Sequence, residues 1–186
     1  MKNCQEKGIY HFLKGCTLPC FWECRIYGRK KIIMKLSDII DLNNIIIALG
    51  AHDKNTVIEE LAGTIVESCP SLKKDELIKI LLERERLGST GIGDGVAIPH
   101  GKVSGISEPI ISFGRSVNGL DFDSMDGEPV HLFFLLVAPE DSANIHLKAL
   151  AKIAKILKNN LFRKQLIEAK TREDIFKIIT HDDEEL

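Results

Sequence analysis

The feature that most constrains this chain is the run Leu132-Phe133-Phe134-Leu135-Leu136-Val137-Ala138, entered through Pro129-Val130-His131 and closed by Pro139. It is far too short for a membrane-spanning helix, which needs about 20 apolar residues. Polar residues do not alternate with the apolar ones, so the run reads as a strand covered on both faces. Such a strand requires apolar helix faces above and below it. The sequence supplies them. Val57, Ile58, Leu61, Ala62, Ile65 and Val66 recur at helical spacing behind a Thr56-x-x-Glu59 capping box, and Cys69-Pro70 ends that helix. A second helix begins near Ser71, buries Leu77, Ile78, Ile80, Leu81 and Leu82, and closes at Gly88. After the strand, Asp141, Ser142 and Asn144 offer N-caps to a long helix with an apolar face of Ile145, Leu147, Leu150, Ala151, Ala154 and Leu157. Asn159-Asn160 breaks it, and Leu161 to Ala169 forms another helix. Thr171-x-x-Asp174 then caps a last one, which buries Ile175, Phe176, Ile178 and Ile179.

The remaining strands are less distinct. Ser37 to Asp41 suits a short helical turn, and Asn43-Asn44 marks a turn. Ile45-Ile46-Ile47-Ala48-Leu49 reads as a first strand, ended by Gly50. Pro109 to Phe113 reads as another strand, and Asn118-Gly119 signals a turn beyond it. Strands and helices alternate irregularly, so the fold class is α/β, with a mixed sheet and helices on both faces. A length of 186 residues suits one domain with a substantial core.

Candidate chemistry concentrates in Gly91-Ile92-Gly93-Asp94-Gly95-Val96-Ala97-Ile98-Pro99-His100-Gly101-Lys102. Closely spaced glycines mark backbone that bends sharply or takes positive φ. Pro99 fixes its own φ and extends Ile98, so Val96 to Ile98 form a short strand with His100 in a loop just past its end. An imidazole there is mostly neutral near pH 7 and keeps one free lone pair, and glycine amides around it can bind an anion. Upstream, Glu83-Arg84-Glu85-Arg86 reads by itself as a solvated helix end. His146 reads as a polar residue in a helix's first turn, His131 as structural, and His52 as a loop residue. Asp121, Asp123, Asp126 and Glu128 lack the spacing of a calcium loop and read as a solvated acidic segment.

Ser89-Thr90-Gly91-Ile92-Gly93 followed by Ala97-Ile98-Pro99-His100-Gly101-Lys102 resembles the active-site segment of IIA proteins of the bacterial phosphoenolpyruvate-dependent phosphotransferase system. The match is to the fructose/mannitol class, which includes the nitrogen-regulatory IIA proteins. The resemblance extends from Met34 to about Thr180 and implies a three-layer α/β/α sandwich with a mixed central sheet. It implies that His100 is the phosphohistidine nucleophile, that Arg84 and His146 steady the phosphoryl group, and that Ser89, Thr90, Gly91, Gly93, Gly95 and Gly101 form a phosphate-binding loop. It implies an HPr-type protein as donor, a IIB component or a regulated protein as acceptor, a cytoplasmic location, and no metal or cofactor. The start Met34-Lys35-Leu36-Ser37-Asp38-Ile39 and the Ser89 to Gly93 segment lean toward the nitrogen-regulatory type, with a sugar-specific IIA subunit as the alternative.

Composition narrows the remaining classes. A net charge of −2, with lysines and arginines scattered along the chain, gives no electrostatic case for nucleic acid or an acidic membrane. Lys14, Glu23 and Arg25 interrupt any signal-peptide core. Residues 1–33 hold Cys4, Cys16, Cys20 and Cys24 without helical or strand period, and read as an N-terminal extension or an upstream misread, with residues 34–186 as the IIA domain. The cysteine spacing is unlike that of common zinc modules. Asp183 to Leu186 read as a solvated acidic tail.

Overall fold

The computed structural model describes residues 35–182. The expectations placed on residues 1–34 and on the acidic tail lie outside the described residues. The apolar run becomes strand β6, Val130–Pro139. Five more strands join it: β1 (Ile40–Ile46), β2 (Gly91–Gly93), β3 (Val96–Ala97), β4 (His100–Val103) and β5 (Ile110–Leu120). The sheet order is β1-β5-β6-β3-β2, and β4 also pairs with β6 beyond the end of β3. β1 and β5 are parallel, β5 and β6 antiparallel, and both β3 and β4 run parallel to β6. The mixed sheet read from the sequence is therefore present.

Side chains of β6 alternate between two cores, as strand geometry requires. Leu132, Phe134 and Leu136 join the core built with α3 (Ala143–Leu157), α4 (Asn160–Glu168) and α5 (Arg172–Asp182). Phe133, Leu135 and Val137 join the core built with α1 (Lys54–Ser68) and α2 (Lys74–Arg86). Each core holds an edge-to-face phenylalanine pair. Phe113 and Phe134 meet at 4.9 Å, and Phe122 and Phe133 at 5.3 Å. The three-layer α/β/α sandwich follows directly.

Four expectations are corrected. β1 starts at Ile40, and Asn43-Asn44 lies inside it, not in a turn. A register shift between Ile40 and Ile45 absorbs the pair, and buried Asn44 donates from Nδ2 to the Ile111 carbonyl. Asn118-Gly119 likewise lies inside β5, where a second register shift is accommodated by Gly119 at φ 75°. The N-cap of α1 is Asp53, with Thr56 as the third helical residue answering it, not Thr56 with Glu59. The buried face of α3 is His146, Ala149, Ile153, Ile156 and Leu157, whereas Ile145 and Leu147 are exposed. Its apolar residues span a broad arc opposite Asn144, Lys148, Lys152 and Lys155, and the sheet covers only part of that arc, so Ile145 and Leu147 stay outside the contact. The Thr171/Asp174 box forms as expected, with each side chain bonded to the other's backbone amide.

Arg115 fastens the far side of the sheet. It is buried on β5, and among the described residues its hydrogen-bond partners are carbonyls, not carboxylates. Nε donates to the Ile47 carbonyl, and Nη1 reaches the carbonyls of Leu166, Ile167 and Ala169 at the end of α4. A cation at a helix C-terminus satisfies carbonyls that the helix cannot. Arg115→Met should lower stability by roughly 3 kcal/mol, because those acceptors lose their donors while staying buried. Arg115→Lys should fall between the two. Urea unfolding checks both, and a loss below about 0.5 kcal/mol for Arg115→Met would contradict the assignment.

Candidate active site

His100 is the first residue of β4, not a loop residue beyond a strand. β3 pairs Val96 and Ala97 with Leu132 and Phe133, and β4 resumes alongside β6 with His100 opposite Leu136. Pro99 sits in the gap and still contributes to the ladder, because its carbonyl accepts the Leu136 amide at 2.9 Å. The imidazole is therefore anchored by rigid backbone on both sides.

Both ring nitrogens are committed. Nδ1 lies 2.8 Å from the Ile98 carbonyl, which can only accept, so Nδ1 carries the proton. Nε2 then holds the lone pair, and it accepts from Nε of Arg84 at 3.1 Å. Arg84 stands in the last turn of α2, and its Nη1 donates to the Gly88 carbonyl at 3.1 Å. His146 comes from the first turn of α3, with its ring centroid 5.3 Å from that of His100. Its Nδ1 is buried without a hydrogen-bond partner among the described residues. Arg84, His100 and His146 thus converge from the α2 layer, the sheet and the α3 layer.

Both imidazoles are held neutral. Burial lowers the His100 pKa; the Ile98 carbonyl opposes this, and Arg84 reinforces it. Burial, followed by the nearby charges of His100, Lys102 and Arg84, lowers His146 from 6.5 to about 4. A neutral ring with a defined tautomer is a nucleophile at its unprotonated nitrogen.

In the glycine-rich segment expected to form the phosphate-binding loop, the donors of Ser89, Thr90 and Gly91 are bonded within the protein. Ser89 Oγ donates to the Phe122 carbonyl, and the Gly91 amide donates to Ser89 Oγ. The Thr90 amide and hydroxyl both donate to the Glu85 carboxylate. Gly91 is needed because a Cβ there would stand 2.9 Å from the Ser124 backbone. Gly93 and Gly95, at φ 93° and 73°, make the tight link between β2 and β3. Gly101 lets β4 approach Ile80 and Leu81 of α2, whose side chains a Cβ would meet at 3.2 Å.

Glu85 and Lys54 were not among the candidates. Glu85 is buried and pairs with Lys54 at 2.9 Å. The signal was present, since Leu77, Leu81 and Glu85 fall four residues apart on the buried face of α2. The neighbouring Arg86 is exposed, as are His52 and the carboxylates of the 121–128 loop. His131 is structural, with Nδ1 3.1 Å from the Ser116 carbonyl.

The family model for the phosphoenolpyruvate-dependent sugar phosphotransferase system, EIIA 2, matches residues 38–182. The chain belongs to that family. It is 38% identical over 151 residues to the PTS system fructose-specific EIIABC component of Bacillus subtilis, covering 81% of this chain but only 24% of that protein. It is also 38% identical over 146 residues to a nitrogen regulatory protein of Bradyrhizobium diazoefficiens, covering 78% of this chain and 95% of the relative. The crystal structure of nitrogen regulatory protein IIA-Ntr from Neisseria meningitidis superposes with a TM-score of 0.73 at 34% identity, over 78% of this chain and 99% of that one. IIA mannitol from Escherichia coli shares the fold at a TM-score of 0.64 and 18% identity, over 75% of this chain and 97% of that one. No helix among the described residues is long and apolar enough to cross a membrane.

The depressed histidines tie stability to pH. His146 takes up a proton near pH 6.5 when unfolded but only near pH 4 when folded. Between those values the unfolded chain binds more protons, so stability is lost as the pH falls from 6.5 toward 4. His100 acts in the same direction. Urea unfolding from pH 7 to pH 4 should show this loss, and His146→Gln should make it visibly shallower. Identical slopes for the two proteins would remove His146 as a source.

Proposed function

We propose that this chain is a phosphocarrier that accepts a phosphoryl group on Nε2 of His100 from a histidine-phosphorylated HPr-type protein. The observation that carries this reading is the pair of bonds on one ring: Nδ1–H held by Ile98 and the Nε2 lone pair facing Arg84. In the transfer, Nε2 attacks phosphorus in line as the donor's N–P bond breaks. The bonding pair returns to the donor imidazole. Positive charge develops on the His100 ring, and the Nδ1–H bond to the Ile98 carbonyl strengthens with it. The Arg84 guanidinium leaves Nε2 and moves to the equatorial phosphoryl oxygens, for which its forked donors are suited. Neutral His146 supplies a further donor from Nε2. No metal or cofactor enters these steps, and the protein works in the cytoplasm.

The phosphoryl group serves nitrogen-type regulation in the reading we favour, on the similarity to nitrogen regulatory proteins. The similarity to a fructose-specific EIIABC component favours a second reading, in which the group passes to a IIB component for sugar uptake. Incubating the phosphorylated chain with a purified fructose-type IIB domain separates them. Transfer within seconds supports uptake, and a phosphoryl group that stays on this chain supports regulation.

The protein, phosphoenolpyruvate, enzyme I and an HPr-type carrier should together give one acid-labile phosphoryl adduct by intact mass. His100→Ala should give none. Arg84→Ala should form it about 10–1000-fold more slowly, the usual cost of removing one charge-stabilising donor. An adduct on His100→Ala would overturn the assignment of the nucleophile, and an unchanged rate in Arg84→Ala would remove that residue from the site.

A further inference from the structure

We propose that Glu85 is a positioning residue for phosphoryl transfer, one carboxylate that sets both the imidazole of His100 and the guanidinium of Arg84. The inference rests on the reading of His100 as the acceptor. Glu85 touches neither group. It acts through two short arms that meet again at the His100 ring, one at Nδ1 and the other at Nε2.

The first arm runs through Thr90. Both Glu85 oxygens accept from the Thr90 amide, at 3.0 and 3.2 Å, and Oε2 accepts from the Thr90 hydroxyl at 2.6 Å. The Thr90 carbonyl accepts the Ile98 amide at 3.0 Å. The Ile98 carbonyl in turn accepts Nδ1–H of His100 at 2.8 Å. Fixing Thr90 therefore fixes the carbonyl that selects the tautomer of the nucleophile.

The second arm is the turn after α2. The Glu85 carbonyl accepts the Gly88 amide at 3.2 Å, while its carboxylate holds Thr90, so residues 85–90 are closed at both ends. The Gly88 carbonyl inside that closed turn accepts from Nη1 of Arg84 at 3.1 Å, and Nε of the same guanidinium reaches Nε2 of His100. Lys54, the first residue of α1, holds the carboxylate from outside at 2.9 Å and stacks over the Phe122 ring at 4.7 Å. A buried carboxylate with four hydrogen-bonded or paired contacts is a poor choice for stability alone, since an apolar side chain of similar size would pack there as well or better. The geometry it enforces, within a few tenths of an ångström, is what a transfer site needs.

The test uses the full chain, with Glu85→Gln as the variant. The amide keeps the shape and one acceptor but loses the second acceptor and the charge facing Lys54. Two measurements run together: the rate of phosphoryl transfer from the phosphorylated HPr-type protein, and the ring nitrogen signals of ¹⁵N-labelled His100 in the unphosphorylated chain. The wild type should show a protonated Nδ1 and a free Nε2. Glu85→Gln should transfer at least 10-fold more slowly in kcat with little change in KM, and its His100 nitrogens should report a mixture of tautomers. A wild-type rate with wild-type nitrogen signals would overturn the proposal, as would a slower rate with unchanged signals, which would mean a loss of fold stability only. If the wild-type chain accepts no phosphoryl group, the phosphocarrier reading falls, while the nitrogen signals still decide the positioning role. Should Glu85→Gln fail to fold, Thr90→Val removes the hydroxyl contact alone and is judged by the same two readouts.

Discussion

Strand β6 has almost no surface that water can reach, and the architecture follows from that. Leu132 to Val137 are all buried, and burial of each large side chain is worth about 2 kcal/mol only if something apolar covers it. Alternate residues point to opposite sides, so one helical layer cannot serve. α1 and α2 close one face and α3 to α5 the other. The candidate site sits where the two layers approach the same strand end. Its three central side chains come one from each layer, with Arg84 on α2, His100 on the sheet and His146 on α3. The site is a consequence of covering β6 on both sides.

The same burial sets the electrostatics. Arg84 and Lys102 place positive charge near the two imidazoles, which by itself suits an incoming phosphoryl group. Such charge would be wasted if the histidines were also protonated, since a cationic His100 has no lone pair to attack with. Desolvation is the leading cause that lowers both histidine pKa values, and the cationic neighbours add to it. The site therefore combines a positive field with a neutral nucleophile, and burial beneath α2 and α3 provides the second of these.

Much of this was legible in the sequence where one physical rule dominated. β6 was clear because a short unbroken apolar run between two prolines suits a strand covered on both faces, and the Thr171/Asp174 box because its two partners lie three residues apart. His100, Arg84 and His146 were legible through family resemblance, and the structure brings them together. The rest depended on contacts distant in sequence. Asn43-Asn44 carries a turn signal, yet pairing with β5 makes it a bulge. The apolar arc of α3 is broader than the surface that the sheet covers, so helical spacing alone did not tell that His146 is buried while Leu147 faces water. The glycines signalled unusual backbone, but the contacts that exclude a Cβ at Gly91 and Gly101, with Ser124, Ile80 and Leu81, come from residues distant in sequence. Glu85 was hidden inside a run of charges. Its partner Thr90 is only five residues away, but its partner Lys54 is on another helix.

The resting bond between Arg84 and His100 bears on how a buried nucleophile stays usable. A lone pair in a partly buried site that met no donor would carry a desolvation cost of about 1–3 kcal/mol, and a guanidinium without an acceptor would cost more. Pairing them at 3.1 Å removes both costs before any phosphoryl group arrives. In the transfer we propose, the phosphoryl oxygens take over the guanidinium as Nε2 forms its bond to phosphorus, so each group exchanges one partner for another and neither is left bare. In that transfer the bond from Nη1 to the Gly88 carbonyl, present at rest, would confine the guanidinium's movement to a swing about that contact. The arginine can then follow the charge from nucleophile to phosphoryl group with little reorganisation, which is the condition under which fixed donors lower a barrier.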